Sequence, residues 1–153
     1  MDTHVLIIGI IIFIILFVPV YYINKSNSVK KDKVVAVFKK FINYNFKRTE
    51  NLNKKVLAID EQNKGFLLID LNKEIETFYF TDLKEIKNCR LSLETSKHSD
   101  SIEKIAFVLE NKTNSADEII PFYDVNDNLI GQVSVFENHQ LAKKWVSIIN
   151  ENL

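Results

Sequence analysis

The segment Val56–Leu71, VLAIDEQNKGFLLIDL, is the clearest indication of fold in the larger part of this chain. Two short apolar runs, Val56–Asp60 and Phe66–Leu71, flank the loop Glu61–Gly65. Short runs separated by a loop whose glycine can adopt a positive φ are typical of an antiparallel β-hairpin. The sequence therefore predicts two paired strands, with Gly65 supplying the positive φ.

More strands are predicted on the C-terminal side, because short apolar runs recur there between polar turns. Ile75–Phe80 gives a third strand, and Thr81 or Asp82 is expected to begin a short turn. Asn88–Glu94 alternates apolar and polar residues, and it predicts a second hairpin with the run Ile105–Leu109.

Two later segments are weaker strand candidates. Ile119–Tyr123 contains Pro121, which indicates an edge position. Leu129–Phe136 is either a last strand or a partly ordered loop.

The chain ends in a predicted amphipathic helix, with Asn138 as its N-cap. Its apolar stripe consists of Leu141, Ala142, Trp145, Ile148 and Ile149. The residues chosen as structural core of the domain are Leu91, Phe107, Leu141, Trp145 and Ile148.

A different segment occupies the N-terminal end. Val5–Ile23 contains nineteen uncharged residues, enough for a helix to cross the hydrocarbon core of a bilayer. A cleaved signal peptide is the competing interpretation, but the basic n-region and the small-residue cleavage site that it needs are missing. The sequence thus favours a retained transmembrane helix, and its proposed anchor residues are Val5, Ile12, Phe13, Phe17, Tyr21, Tyr22 and Ile23.

Charge is distributed unevenly along the 153 residues although the total is balanced. Residues 1–23 carry net charge −1, residues 24–55 carry ten basic and two acidic groups (+8), and residues 56–153 carry ten and seventeen (−7). Because the lysines follow the apolar segment, the positive-inside rule predicts an outside N-terminus and a cytoplasmic C-terminal domain at the inner or plasma membrane.

The basic segment also contains an amphipathic pattern at Lys33–Phe46. This helix either lies on anionic lipid or packs on the downstream domain, and the pattern does not distinguish the two. The lysines proposed to contact anionic lipid are Lys30, Lys31, Lys33, Lys39 and Lys40. Nucleic acid is not expected as a partner, because the chain has only two arginines, Arg48 and Arg90, for base readout.

The predicted fold class is accordingly α+β, mainly β. Residues 1–4 form a short non-cytoplasmic tail, residues 5–23 the transmembrane helix, residues 24–54 a basic juxtamembrane linker, and residues 55–153 the β domain. That domain is expected to be a small antiparallel barrel or sandwich of six to seven strands, capped by the C-terminal helix.

The order of these elements resembles small bacterial domains of the pleckstrin-homology-like fold. The resemblance is carried by the hairpin entry Ile59–Glu61, by the aromatic strand Phe78–Phe80 leading into Thr81–Leu83, and by the terminal helix with Ala142 and Trp145. It covers about a hundred residues, from Val56 onward. It implies a binding or scaffolding module without catalytic residues.

No combination of residues predicts catalysis, a metal or a cofactor. Cys89, His98 and Asp100 include the groups of a nucleophile and its base, but Cys89 lies on the apolar face of its strand and is more readily explained as buried. Asp124 and Asn126 begin a pattern like a calcium loop that Leu129 then breaks, where glycine is required.

The predicted function is a single-pass membrane protein that tethers a cytoplasmic domain for protein interaction or scaffolding. One alternative is a module that senses lipid headgroups through the basic helix. Another is a small accessory subunit of a membrane complex. The lipid bilayer and an unidentified protein are the expected partners, and the sequence leaves the oligomeric state open.

Overall fold

The computed structural model describes residues 31–72, 77–96, 101–113, 115–127 and 135–153. The chain divides into two compact units, Met1–Lys40 and Phe41–Leu153. In the first unit, residues 31–40 form helix α1. The amphipathic helix predicted at Lys33–Phe46 therefore ends earlier, at residue 40, and a turn closed by the Tyr44 N–H and the Phe41 carbonyl oxygen (3.0 Å) follows it.

The second unit contains two antiparallel sheets and a helix. The first sheet has four strands in chain order, β1 (Arg48–Leu52), β2 (Lys55–Asp60), β3 (Gly65–Asp70) and β4 (Thr77–Asp82). The second sheet has three, β5 (Ile86–Thr95), β6 (Ile102–Asn111) and β7 (Glu118–Asp124). Short 3₁₀ helices lie at Leu83–Glu85 and Val125–Asp127, and helix α2 is Val135–Asn150.

The predicted fold class, which began with a transmembrane helix, is wrong as stated. Within the described ranges no helix is long and apolar enough to cross a membrane. The described part of α1, residues 31–40, includes charged Lys31 and Lys39, while α2 has 16 residues and includes Lys143 and Lys144. The segment Val5–Ile23 lies outside the described residues. The corrected description of the described chain is mainly β, with seven strands in two antiparallel sheets and a C-terminal helix.

The first predicted hairpin is confirmed as β2 and β3, but the role assigned to Gly65 is wrong. Gly65 is the first residue of β3 and pairs with Asp60, and the positive φ (62°) occurs at Lys64. Gly65 instead leaves room for an aromatic ring. An added Cβ would lie 2.6 Å from Cε1 of Tyr44 and 3.3 Å from Cε2 of Phe80.

Tyr44 belongs to a cluster of five half-buried aromatic rings on the outer face of the first sheet. Phe41 stacks on Phe80 with centroids 4.5 Å apart, and Tyr44 meets Phe80 edge-on at 4.8 Å. Phe46 and Phe78 complete the cluster. These contacts place the segment before β1 on the β3–β4 pair.

Asp60 holds the same segment through its buried carboxylate. The carboxylate accepts hydrogen bonds from the Asn45 N–H (2.6 Å), the Gln62 N–H (3.0 Å), and both the backbone N–H (3.1 Å) and side-chain Nδ2 (2.6 Å) of Asn63. Burial alone would raise the pKa of Asp60, but these donors outweigh it and lower the pKa to about 2. Asp60 therefore connects the hairpin loop to the chain that precedes β1.

Gly65→Ala is expected to lower the free energy of unfolding by about 2 kcal/mol, because the added methyl group overlaps the Tyr44 ring. The measurement is urea unfolding of the full chain followed by Trp145 fluorescence. In a Tyr44→Ala background, the same substitution should cost less than half as much, since the obstructing ring is gone. Equal costs in the two backgrounds would contradict the close approach.

Strand β1 lies within the predicted linker, residues 24–54, where the sequence predicts no strand. A two-residue turn joins it to β2, with positive φ at Asn53 (48°) and Lys54 (62°) and with Leu52 opposite Lys55. Positive φ at both central residues is the requirement of a type I′ hairpin turn. β1 itself has no apolar period, because the inward residue next to Leu52 is Glu50.

Every residue of β2 and β3 is buried, so both faces of these strands are covered. Leu57 and Phe66 belong to the core shared with the second sheet and α2, whereas Leu67 and Ile69 lie on the opposite face, opposite Phe80 and Phe78 of β4. Coverage on two sides explains why these strands are continuous apolar runs and do not alternate.

The structure confirms the other predicted strands, with small differences in their bounds. The strands at Ile75–Phe80, Asn88–Glu94, Ile105–Leu109 and Ile119–Tyr123 correspond to β4, β5, β6 and β7, although residues 75 and 76 lie outside the described ranges. The turn after β4 is capped by Asp82, whose carboxylate accepts from the Lys84 N–H, and β7 is an edge strand, as Pro121 indicated.

The start of the C-terminal helix was predicted too late. Helix α2 begins at Val135, so Asn138 is a buried residue of its first turn and not the N-cap. Val135 and Phe136 are helical, which corrects the last strand candidate, and its remaining residues 129–134 are outside the described ranges. The predicted apolar stripe is confirmed as the buried side of α2.

The core lies between the two sheets and α2. Phe107 and Trp145 are fully buried in it, Ile148 and Leu141 are 3% and 8% exposed, and Leu91 is a half-buried neighbour.

Candidate interaction site

Strand β5 forms one edge of the second sheet. It pairs with β6 on one side, and no described strand pairs with it on the other. With ten residues it is as long as β6 and twice the length of β1. An open strand edge presents unpaired N–H and C=O groups to which another polypeptide can bind.

One residue of this edge is already occupied by a side chain of α2. The carboxamide of Asn150 accepts from the Cys89 N–H and donates to the Cys89 carbonyl oxygen, each at 2.8 Å. A residue of an added strand would make the same pair of hydrogen bonds. The backbone groups of Cys89 therefore point away from β6, and Asn150 takes the place of a strand residue.

The direction of the Cys89 groups fixes that of its neighbours, because backbone groups alternate between the two sides of a strand. Leu91 and Leu93 also direct N–H and C=O away from β6, and in the described chain no residue hydrogen-bonds to these groups. The Leu93 side chain is 43% exposed, while Leu91 packs against the core. The open part of the edge is thus centred on Leu91 and Leu93.

On the outer face of β5, charged side chains held in ion pairs lie on both sides of this open part. Nε of Arg90 lies 3.0 Å from Oε1 of Glu110 on β6, and its Nη2 lies 3.8 Å from Oδ2 of Asp117. Near the other end, Nζ of Lys104 lies 2.9 Å from Oε2 of Glu94. The open edge is therefore flanked by a cation at Arg90 and an anion at Glu94.

The surroundings of Cys89 also disfavour a role of its thiol as a nucleophile. Cys89 is 2% exposed, and burial raises the pKa of its thiol to about 12. A thiol with such a pKa is not a thiolate at neutral pH and is a poor nucleophile. His98 and Asp100 lie outside the described residues.

Other candidate sites give no ligand set. No group of histidine, cysteine or acidic residues in the described ranges has the arrangement of a metal site. Asp124 uses its Oδ1 to accept from the backbone N–H (2.9 Å) and Nδ2 (3.0 Å) of Asn126, which is a local turn.

Of the residues assigned to the membrane, only some lie within the described ranges. All seven anchor residues and Lys30 lie outside the described ranges. Lys31, Lys39 and Lys40 are exposed on α1, and Lys33 is half-buried there. These lysines and the edge of β5 belong to different units of the chain.

Asn150 is the residue of this site that sequence reasoning missed. It lies opposite the apolar stripe of α2 and is exposed, as expected for that side of the helix. Its partner is the backbone of Cys89, which lies 61 positions away in the chain. A backbone partner leaves no sequence pattern, so only the packing of α2 on β5 reveals the contact.

His139 gives the domain an expected sensitivity to acid. Its Nε2 is buried without a hydrogen-bond partner among the described residues, and burial, together with the nearby charge of Lys143, holds the pKa of His139 below its usual 6.5. His139 therefore takes up a proton more readily in the unfolded chain than in the folded chain. The free energy of unfolding should fall as the pH drops below about 6.5. His139→Gln should show a smaller loss between pH 7 and 5 in urea unfolding, and equal losses would contradict the assignment.

No protein-family model matches the chain, and comparison with curated proteins and with solved structures found no match.

Proposed function

We propose that the chain is a protein-binding module held at a membrane, and that it binds another polypeptide by adding a strand to the open edge of β5. The observation that supports this most is the pair of hydrogen bonds between Asn150 and Cys89, since an amide from outside the sheet already binds this edge. Leu91 and Leu93 offer the next two places for the same bonds.

The structure of this edge favours a binding role for physical reasons. Soluble proteins usually protect a long edge with a proline, a bulge or an inward charge. β7 carries Pro121 on its edge. The register shifts of β5 lie at Ile86–Asn88 and at Glu94–Thr95, so the stretch with Leu91 and Leu93 contains neither a bulge nor a proline, and Leu93 is exposed. An edge left open in this way is a place where a partner strand gains main-chain hydrogen bonds.

The membrane part of the proposal rests on the sequence alone. The uncharged segment Val5–Ile23 would hold the chain at the bilayer, and the lysines after it would keep the β domain on the cytoplasmic side. Protease treatment of intact cells tests this with a tag placed after Leu153. The tag should be protected until the membrane is broken, and digestion from outside would overturn the orientation.

The binding edge is tested by Leu93→Pro in the full chain. The Leu93 N–H points away from β6, so proline removes a donor from the open edge without removing a bond between β5 and β6. Leu93→Ala is the matched control, because it removes the side chain and keeps the N–H. A partner cross-linked to the wild-type chain and to Leu93→Ala, but lost with Leu93→Pro, is the expected result. Retention of the partner by Leu93→Pro would contradict strand addition.

A second candidate function, the sensing of anionic lipid, is supported by the exposed side of α1. Val35 is 49% exposed there, on the same helix as exposed Lys31 and Lys39. An apolar residue among lysines suits the boundary of an anionic bilayer. Binding of the full chain to phosphatidylserine vesicles should then weaken when salt is added and when Lys39→Gln is introduced. Binding that neither change weakens would exclude this function.

A further inference from the structure

We propose that the polypeptide bound at the edge of β5 is a second copy of this chain, paired antiparallel about a two-fold axis at Ser92. The inference rests on the proposed function, because it names the partner of the same edge. It also makes the interface self-complementary, as a two-fold axis requires.

The position of the axis follows from the two ends of the open stretch. At one end, the Asn150 side chain already hydrogen-bonds to the backbone N–H and C=O of Cys89, so an added strand cannot pair with this residue. At the other end, the register between β5 and β6 shifts between Glu94 and Thr95, because β6 has one extra residue there, Glu103, and such a bulge disrupts the ladder and increases the local twist. The regular open stretch is therefore Arg90–Glu94, and Ser92 is its middle residue. Only an axis at Ser92 lays two such stretches fully against each other.

This register pairs the open backbone groups. With the axis at Ser92, Leu91 of one copy lies opposite Leu93 of the second copy, and the reverse pair is equivalent. Both residues point their N–H and C=O groups outward from β6, which is the geometry of a hydrogen-bonded antiparallel pair. The two pairs would satisfy the open donors and acceptors of both copies, and the exposed Leu93 side chain would gain an apolar neighbour.

The same register brings opposite charges together on the outer face. Arg90 of one copy lies opposite Glu94 of the second copy, and the two-fold axis repeats this pair. Glu94 already contacts Lys104, and Arg90 already contacts Glu110. The charges would thus alternate in sign across the joined sheets, from Lys104 and Glu94 of one copy to Arg90 and Glu110 of the other. Opposite charges on facing strands stabilise a pair, whereas like charges destabilise it.

A five-residue strand pair buries less than the roughly 1,200 Å² of stable complexes, so the association is expected to be reversible.

The first test is disulfide cross-linking of the full chain in mild detergent, with Ser92→Cys. Facing residues at the axis form a non-hydrogen-bonded pair, whose Cα atoms lie about 4.5 Å apart, within the range of a disulfide. Asn88→Cys is the matched control on the same face of β5, and its two copies would lie roughly 27 Å apart in this register. The native Cys89 is buried and does not compete.

Rapid dimer formation by Ser92→Cys, with little by Asn88→Cys, is the expected result. A monomeric Ser92→Cys chain, or equal cross-linking at both positions, would overturn the two-fold register. Charge reversal gives a second measurement. Arg90→Glu and Glu94→Arg should each slow the Ser92→Cys cross-link roughly fivefold or more, and the two together should restore it. Failure of the double variant to recover would contradict the pairing of these charges.

The outcomes separate this inference from the proposed function. If Ser92→Cys stays monomeric while Leu93→Pro still abolishes capture of a different protein, the second copy is the wrong partner and the edge remains the binding surface. If Ser92→Cys stays monomeric and Leu93→Pro changes nothing, both proposals fail.

Discussion

Lys55→Ala is expected to lower the free energy of unfolding by about 3–5 kcal/mol. The Lys55 side chain is buried, and its ammonium group donates to the Phe122 carbonyl oxygen of β7. The same group lies 3.9 Å from Oδ2 of the buried Asp70. Its loss leaves a carboxylate and a carbonyl oxygen buried with fewer partners, and it removes a contact between the two sheets.

Urea unfolding of the full chain, followed by Trp145 fluorescence, measures this loss. The matched control replaces the pair with apolar residues, Lys55→Met together with Asp70→Leu. Because no lone charge is then buried, the double variant should be more stable than Lys55→Ala. A loss below about 1 kcal/mol for Lys55→Ala would show that the ammonium group does not compensate the buried carboxylate.

Trp145→Ala is expected to cost about 3–5 kcal/mol as well, because it removes the largest fully buried side chain of the core. Trp145 contacts Phe66 across the core, with ring centroids 6.0 Å apart. Its Nε1 donates to Oε2 of Glu50 at 3.1 Å, and Lys144 also contacts this carboxylate, at 2.8 Å. The residue therefore joins α2 both to the core and to β1.

Thermal unfolding followed by circular dichroism measures this variant, since the chain then contains no tryptophan. Trp145→Phe is the control that keeps an aromatic ring and loses the hydrogen bond to Glu50. It should cost clearly less than Trp145→Ala, because most of the effect comes from the lost apolar volume. Equal losses for the two variants would instead assign the stabilisation to the Glu50 contact.

The sequence predicts those elements whose apolar residues follow a clear period. The strands β2–β7 have apolar runs or alternation, and the stripe of α2 has helical spacing. β1 escapes prediction because its inward side chain at Glu50 is polar and is satisfied by α2, a contact between residues 95 positions apart. The Asn53–Lys54 turn is the signal that could have revealed it, since asparagine is favoured in type I′ turns.

The candidate site is less predictable than the fold for the same reason. Alternation in β5 identifies Leu91 and Leu93 as one face of a strand, but it does not tell whether the strand lies at an edge. That depends on the order of strands in the sheet and on Asn150, which reaches β5 only after α2 has packed. The sequence indicates that Gly65 cannot readily be replaced, but it assigns the wrong reason. A side chain at this position is excluded by the Tyr44 ring and not by a positive φ.

Hydrogen exchange of the Leu91 and Leu93 amides in the full chain tests most directly whether the edge of β5 is open and takes up another strand. Both amides should exchange rapidly in dilute protein and slow down as the concentration rises. The Cys89 amide, which Asn150 already binds, should stay unchanged as an internal reference. Slow exchange of the Leu91 and Leu93 amides at every concentration would show that the chain covers this edge itself, and would contradict strand addition at β5.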